Sequence, residues 1–210
     1  RFRDQGRTRQ TPRVRTYAMI EDIKYKLNLN NSEKPSGRPQ ASVLIAILNY
    51  GEFIESPELI YTQRSSHLST HSGEVSFPGG KADKTDPNLF GTALRESNEE
   101  ISLNSKDVTE LGKLNYLISR HKIEVNPFVA SVDQPQTFEP NEEIQEIFTV
   151  PLNFLLDSRN IQRESIERQG SVWQVPTWNI KNQKIWGLTA MITVNFLNVC
   201  FDANIEILEG

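Results

Sequence analysis

The chain has 210 residues and a net charge of −4, from 23 Lys and Arg against 27 Asp and Glu. That balance excludes a generally basic nucleic-acid binder. A lone cysteine, Cys200, excludes an internal disulfide and suits a reducing compartment. A compact chain of this length buries roughly 70% of the surface its unfolded form exposes, so it needs no cross-links.

The charge is unevenly spread. Residues 1–15 hold six arginines and one acid, Asp4, so +5 there leaves −9 for the rest. Such an arginine-rich, acid-poor start suits either a transit-peptide remnant or a disordered leader. Ile20, Ile23 and Leu27 recur at helical spacing and predict a short amphipathic helix over 16–28. Residues 30–40 carry turn formers and two prolines without periodicity, and read as a linker. The expected organisation is therefore a tail, short helix and linker over 1–40, then one folded domain over 41–210.

The run 43–48 is purely apolar and has the length of a buried strand, far short of the ~20 residues of a membrane span. A second strand is expected at 59–63. A loop rich in Ser, His and Gly then ends in Phe77-Pro78-Gly79-Gly80. Asp86 at an N-cap and Pro87 at a first helical position predict a helix running to about Ile101. Further strands are expected at 114–119, 125–132 and 172–178, a short helix or turn at 144–148, and a C-terminal helix at 188–201. Strands and helices without strict alternation predict a mixed sheet with helices on its faces, an α/β/α arrangement.

On the expected helix, Glu96, Glu99 and Glu100 stand at i, i+3 and i+4, so their carboxylates share one arc. Phe90, Leu94 and Ile101 fall near the opposite side. Three like charges on one arc repel, and a divalent cation such as Mg²⁺, which takes carboxylate and phosphate oxygens, would offset that repulsion. The plain alternative is a solvated acidic face. Gly79 and Gly80 upstream either let backbone approach a phosphate or simply turn the chain.

Taken jointly, Gly80, Asp86, Arg95-Glu96, Glu99-Glu100 and Ser102 resemble the Nudix box: a glycine, an acid, then Arg-Glu-x-x-Glu-Glu-x-Gly. Asp86 stands for the usual Glu with one extra residue before Arg95, as in one subfamily, and Ser102 replaces the last Gly. The segment Ile60-Tyr61-Thr62-Gln63-Arg64-Ser65, then Gly73, then Phe77-Pro78-Gly79-Gly80-Lys81, is similar to the additional signature of Nudix proteins that cleave coenzyme A. Ser69 occupies the place of that signature's central Arg. Asn126-Pro127-Phe128-Val129, Glu142-Glu143-Ile144 and Ile185-Trp186-Gly187 extend the likeness over roughly 42–200.

The resemblance implies a Nudix fold and a Mg²⁺- or Mn²⁺-dependent hydrolase cleaving coenzyme A to 3′,5′-ADP and 4′-phosphopantetheine. Another nucleoside diphosphate derivative (oxidised dNTP, ADP-ribose, dinucleotide) is the alternative substrate, and a non-catalytic nucleotide-binding module is the alternative class. It implies Glu96 and Glu100 as metal ligands and Glu99 or Glu143 as proton acceptor. Arg95, always protonated, pairs with Glu99 or Asp86 and orients the helix face. Arg64, Ser65, Gly79, Gly80 and Lys81 are the substrate-binding candidates, with a structural ion pair as the other reading of Arg64. The subfamily also suggests a peroxisomal or mitochondrial location. His67, His71 and His121 show no metal-ligand spacing with Cys200, which argues against zinc. Trp173, Trp178 and Trp186 read as core residues before stacking platforms.

Overall fold

The computed structural model describes residues 12–30, 34–48, 56–67, 73–168 and 170–209. The elements in order are α1 (Pro12–Leu29), β1 (Gln40–Leu48), β2 (Glu58–Arg64), β3 (Val75–Ser76), β4 (Gly79–Lys81), α2 (Leu89–Ile101), β5 (Val108–Lys113), β6 (Leu117–Ile118), β7 (Glu124–Val132), β8 (Ile144–Pro151), α3 (Leu152–Leu156), β9 (Ile161–Arg168), β10 (Ser171–Ile180), β11 (Gln183–Ile185), α4 (Gly187–Phe201) and β12 (Leu208–Glu209).

The apolar run at 43–48 forms the middle of the main sheet. β1 pairs in parallel with β7, with Leu44 opposite Phe128, and antiparallel with β2 and β4. The sheet runs β3-β2-β1-β7-β5, with β8 on β2 and β6 on β7. Side chains alternate across a strand, and both faces of β1 are buried. Leu44, Ala46 and Leu48 meet Phe128, Ala130 and the helix residues Ala93 and Ile101 on one face. Ile45 and Ile47 meet Val129, Tyr61, Trp178 and α4 residues Phe196 and Leu197 on the other. A four-stranded sheet of β9 to β12 adds to that second side. A mixed sheet thus lies between helices, as expected.

Helix α1 is longer than its spacing suggests and is no appendage. Ile20, Ile23 and Leu27 are buried in the same core as β1 and α4. A Cβ on Gly112, at a bulge in β5, would fall 2.8 Å from Leu27 Cβ. Lys26 Nζ donates to the Cys200 carbonyl at 3.1 Å, beside its ion pair with Asp202 at 2.7 Å. Both partners lie at the C-terminal end of α4, where a cation is favoured. The expected linker is anchored too: Ser36 Oγ and N–H donate to Glu124 Oε2, each at 2.6 Å.

Four expectations change. Helix α2 starts at Leu89 with Asn88 as its N-cap, whose Oδ1 accepts from Gly91 N–H at 2.8 Å. Asp86 is unavailable as a cap because Arg95 and Thr92 engage its carboxylate. Residues 144–148 are not a helix or turn but the start of β8, which pairs antiparallel with β2 along its length. Of the strand placed at 114–119 only Leu117–Ile118 forms, as β6, while β5 lies upstream of it and ends at Lys113. Strand β9, unforeseen, carries mainly polar residues on the open side of β10. Among the tryptophans, Trp178 is a core residue, donating its Nε1–H to the Leu155 carbonyl at 3.2 Å, whereas Trp186 is exposed.

Candidate active site

The glutamate arc is real but graded in depth. The Glu100 side chain is 6% exposed, Glu96 20% and Glu99 55%. The gradient follows from the face of α2 that packs on the sheet: Ala93, Ser97 and Ile101 seat the helix, and Glu100 lies on the border of that buried stripe. Ser102 ends the helix in a left-handed conformation, φ 58° and ψ 29°, which is why the Nudix box favours glycine there.

Each glycine of the pair has its own reason. Gly79 has φ +149°, and a Cβ would fall 2.2 Å from the Ser42 carbonyl oxygen. Its N–H donates to Glu100 Oε2 at 3.0 Å. A Cβ on Gly80 would fall 2.4 Å from both Cδ and Oε2 of Glu96. The missing side chain is what lets the Glu96 carboxylate lie over β4.

Arg95 organises the outer part. Its Nε and Nη2 donate to the two oxygens of Asp86 at 2.8 and 3.1 Å. Nη2 also reaches the Lys81 carbonyl at 3.1 Å, and Nη1 lies 3.1 Å from Glu96 and 3.2 Å from Glu99. It therefore pairs with both expected partners. The bidentate fork with Asp86 holds that carboxyl well below the usual carboxylate range, and Asp86 in turn keeps the guanidinium protonated.

Arg64, at the end of β2, spans the inner part. Nη1 lies 3.4 Å from Glu100 Oε1 and Nη2 2.9 Å from Glu143 Oε2. Of the other expected residues, Ser65 is placed by its backbone N–H, which donates to the Glu143 carbonyl at 2.7 Å, and the Lys81 side chain is exposed. Ser69 and His71 lie outside the described residues; His67 and His121 are exposed. Two contributors escaped the sequence reading. Thr92 Oγ1 donates to Asp86 at 2.8 Å, and Asn141 Oδ1 accepts from the Glu143 N–H at 2.9 Å. Single polar residues of this kind carry no spacing signal.

Burial pushes the Glu100 carboxyl up to about 7, against the pull of the Gly79 N–H and Arg64 and with the help of the Glu96 and Glu143 charges. Glu96 is raised too, chiefly by burial, with Arg95 opposing. Among the described residues, no three His, Cys, Asp or Glu side chains are grouped so as to hold a metal ion. Glu96 and Glu100 are instead engaged by arginines and an amide. Two neighbouring carboxylates, seated by the side-chain-free backbone at Gly79 and Gly80, nevertheless fit a hard divalent cation, which takes one or two carboxylates together with water and phosphate oxygens.

Residues 38–169 match the NUDIX domain. The chain is 37% identical over 171 residues to the uncharacterized Nudix hydrolase NudL of Pectobacterium atrosepticum, covering 80% of this chain and 87% of that protein. It is 41% identical over 154 residues to the NudL of Yersinia pestis, covering 73% and 75%. A MutT/nudix family protein from Enterococcus faecalis superposes with a TM-score of 0.50 at 11% identity, over 96% of this chain and 76% of that one, a likeness of fold. With a family domain over more than half its length and relatives matched over most of theirs, the chain belongs to the Nudix hydrolases, divalent-metal enzymes that act on nucleoside diphosphate derivatives.

Proposed function

We propose that the chain hydrolyses the diphosphate of coenzyme A or its acyl derivatives, releasing 3′,5′-ADP and (acyl-)4′-phosphopantetheine. One observation carries this reading. The segment that is similar to the coenzyme A signature folds directly onto the glutamate helix: Gly79 N–H and Arg64 Nη1 both meet the Glu100 carboxylate, at 3.0 and 3.4 Å. This closeness of the coenzyme A-like segment to the residues of the general box supports a single site for metal and substrate.

Glu96 and Glu100 would hold Mg²⁺ or Mn²⁺, which supplies charge neutralisation on the diphosphate and makes water more acidic. Arg64 offers a planar fork to a phosphate, and Gly79 and Gly80 seat the Glu100 and Glu96 carboxylates beside it. Arg95 fixes the outer carboxylates through Asp86. Glu143 is committed to Arg64 at 2.9 Å, whereas Glu99, equally exposed, makes longer contacts with Arg95 at 3.2 and 3.3 Å. We assign Glu99 as the group that takes the proton from the attacking water.

The test is to incubate the protein with coenzyme A, acyl-coenzyme A, ADP-ribose and oxidised dGTP, each with Mg²⁺ or Mn²⁺, and identify products by mass. 3′,5′-ADP is expected from the coenzyme A species. Its absence, with ADP-ribose or oxidised dGTP cleaved, establishes the second reading, which the serine at position 69 keeps open.

A further inference from the structure

We propose that Arg64 and a divalent cation compete for the same oxygen of Glu100, so that metal loading displaces the guanidinium and releases it to the substrate's diphosphate. This rests on the reading of Glu100 as a metal ligand. Of its two oxygens, Oε2 accepts from the Gly79 N–H at 3.0 Å, a contact fixed by the pairing of β4 with β1. Oε1 is the one open to another partner, and Arg64 Nη1 stands on it.

Arg64 is held there by charge more than by fit. Its contact with Oε1 is 3.4 Å, against 2.9 Å to Glu143, and its buried Nε–H meets no hydrogen-bond partner among the described residues. A guanidinium with an unmet donor loses part of what pairing supplies. The side chain keeps 22% of its exposure, so it has a path outward, and Glu143, 54% exposed, is an anchor on that path. The register shift against β8 between Gln63 and Arg64 re-aims this side chain at the strand end. A divalent cation on Oε1 would face the guanidinium at contact distance, and the two would repel. Glu143 then acts as a positioning residue that retains Arg64 near the site until a phosphate takes it.

A fixed structural ion pair predicts the opposite sign: removing Arg64 would loosen Glu100 and weaken metal binding. The experiment is calorimetric titration of Mn²⁺ into chelator-treated wild type, Arg64→Met, Arg64→Lys and Glu100→Gln, with urea unfolding of each. Arg64→Met is expected to bind Mn²⁺ about tenfold tighter, Arg64→Lys close to wild type, and Glu100→Gln about tenfold weaker. Arg64→Met with a wild-type urea midpoint and unchanged or weaker Mn²⁺ affinity overturns the competition. Unaltered affinity in Glu100→Gln overturns the metal reading beneath it. Should Arg64→Met not fold, the Nε–H resonance of Arg64 in wild type decides. It is expected to shift as Mg²⁺ is added, and a resonance unmoved at Mg²⁺ saturation overturns the proposal.

Discussion

Replacing Gly80 and Gly79 by alanine, one at a time, separates two functions of adjacent positions. The Gly80→Ala methyl would stand 2.4 Å from the Glu96 carboxyl, where ordinary contact begins at 3.4 Å. The carboxyl must retreat by about 1 Å, which a side-chain rotation supplies at little cost to packing. Unfolding free energy should therefore fall by no more than about 1 kcal/mol. A displaced ligand or positioning group of that size lowers turnover about 10²-fold. In Gly79→Ala the methyl would meet backbone, the Ser42 carbonyl oxygen at 2.2 Å and Val43 Cα at 2.6 Å, at φ +149°. Neither can rotate away, so β4 must leave β1, and a loss of about 3 kcal/mol or more is expected. Urea unfolding reads the first quantity; Mn²⁺ titration and initial rates read the second. Wild-type turnover and metal affinity in Gly80→Ala, or wild-type stability in Gly79→Ala, would refute the assignment.

Three further outcomes are expected. Because the folded Glu100 carboxyl sits at about 7, above its ordinary 4.5, the folded state binds the extra proton. Chelator-treated protein should lose up to about 3 kcal/mol of stability as pH rises from about 4.5 through 7, and Glu100→Gln should flatten that slope in thermal melts. Ser102→Gly removes left-handed strain and should stabilise by about 0.5–1 kcal/mol in urea unfolding, less whatever the 3.3 Å bond to the Glu139 carbonyl contributes. Leu27→Ala should cost about 2–4 kcal/mol, since Leu27 is buried against Gly112. A near-neutral result would place α1 outside the folded unit.

Much of the site was legible because it is local. The i, i+3, i+4 glutamates, the Arg95 pairing and the glycine pair all lie within one helix and the loop before it. β1, with both faces buried, announces itself as an apolar run, and β7 is apolar but for Glu124, Asn126 and Ser131. Half-exposed strands do not: β8 carries Gln145 and Glu146 and β9 carries Gln162, Arg163 and Glu164, so polar residues hide the alternation. The helix start at Asn88 was misplaced because Asp86 and Pro87 offer the same local signal. What decides between them is a long side chain, Arg95, that engages Asp86 from two turns further along the helix.

By itself the sequence determined which carboxylates share a helix face, because helical geometry converts spacing into neighbourhood, and the resemblance of their motif to the Nudix box pointed to the family. Only the tertiary structure decided that Glu100 is buried, Glu96 half-sheltered and Glu99 open, since that order comes from how α2 is seated on the sheet. It also decided which cation stands on Glu100. Arg64 is 36 residues away, and the strand pairing that delivers it depends on cross-strand contacts that no local spacing encodes.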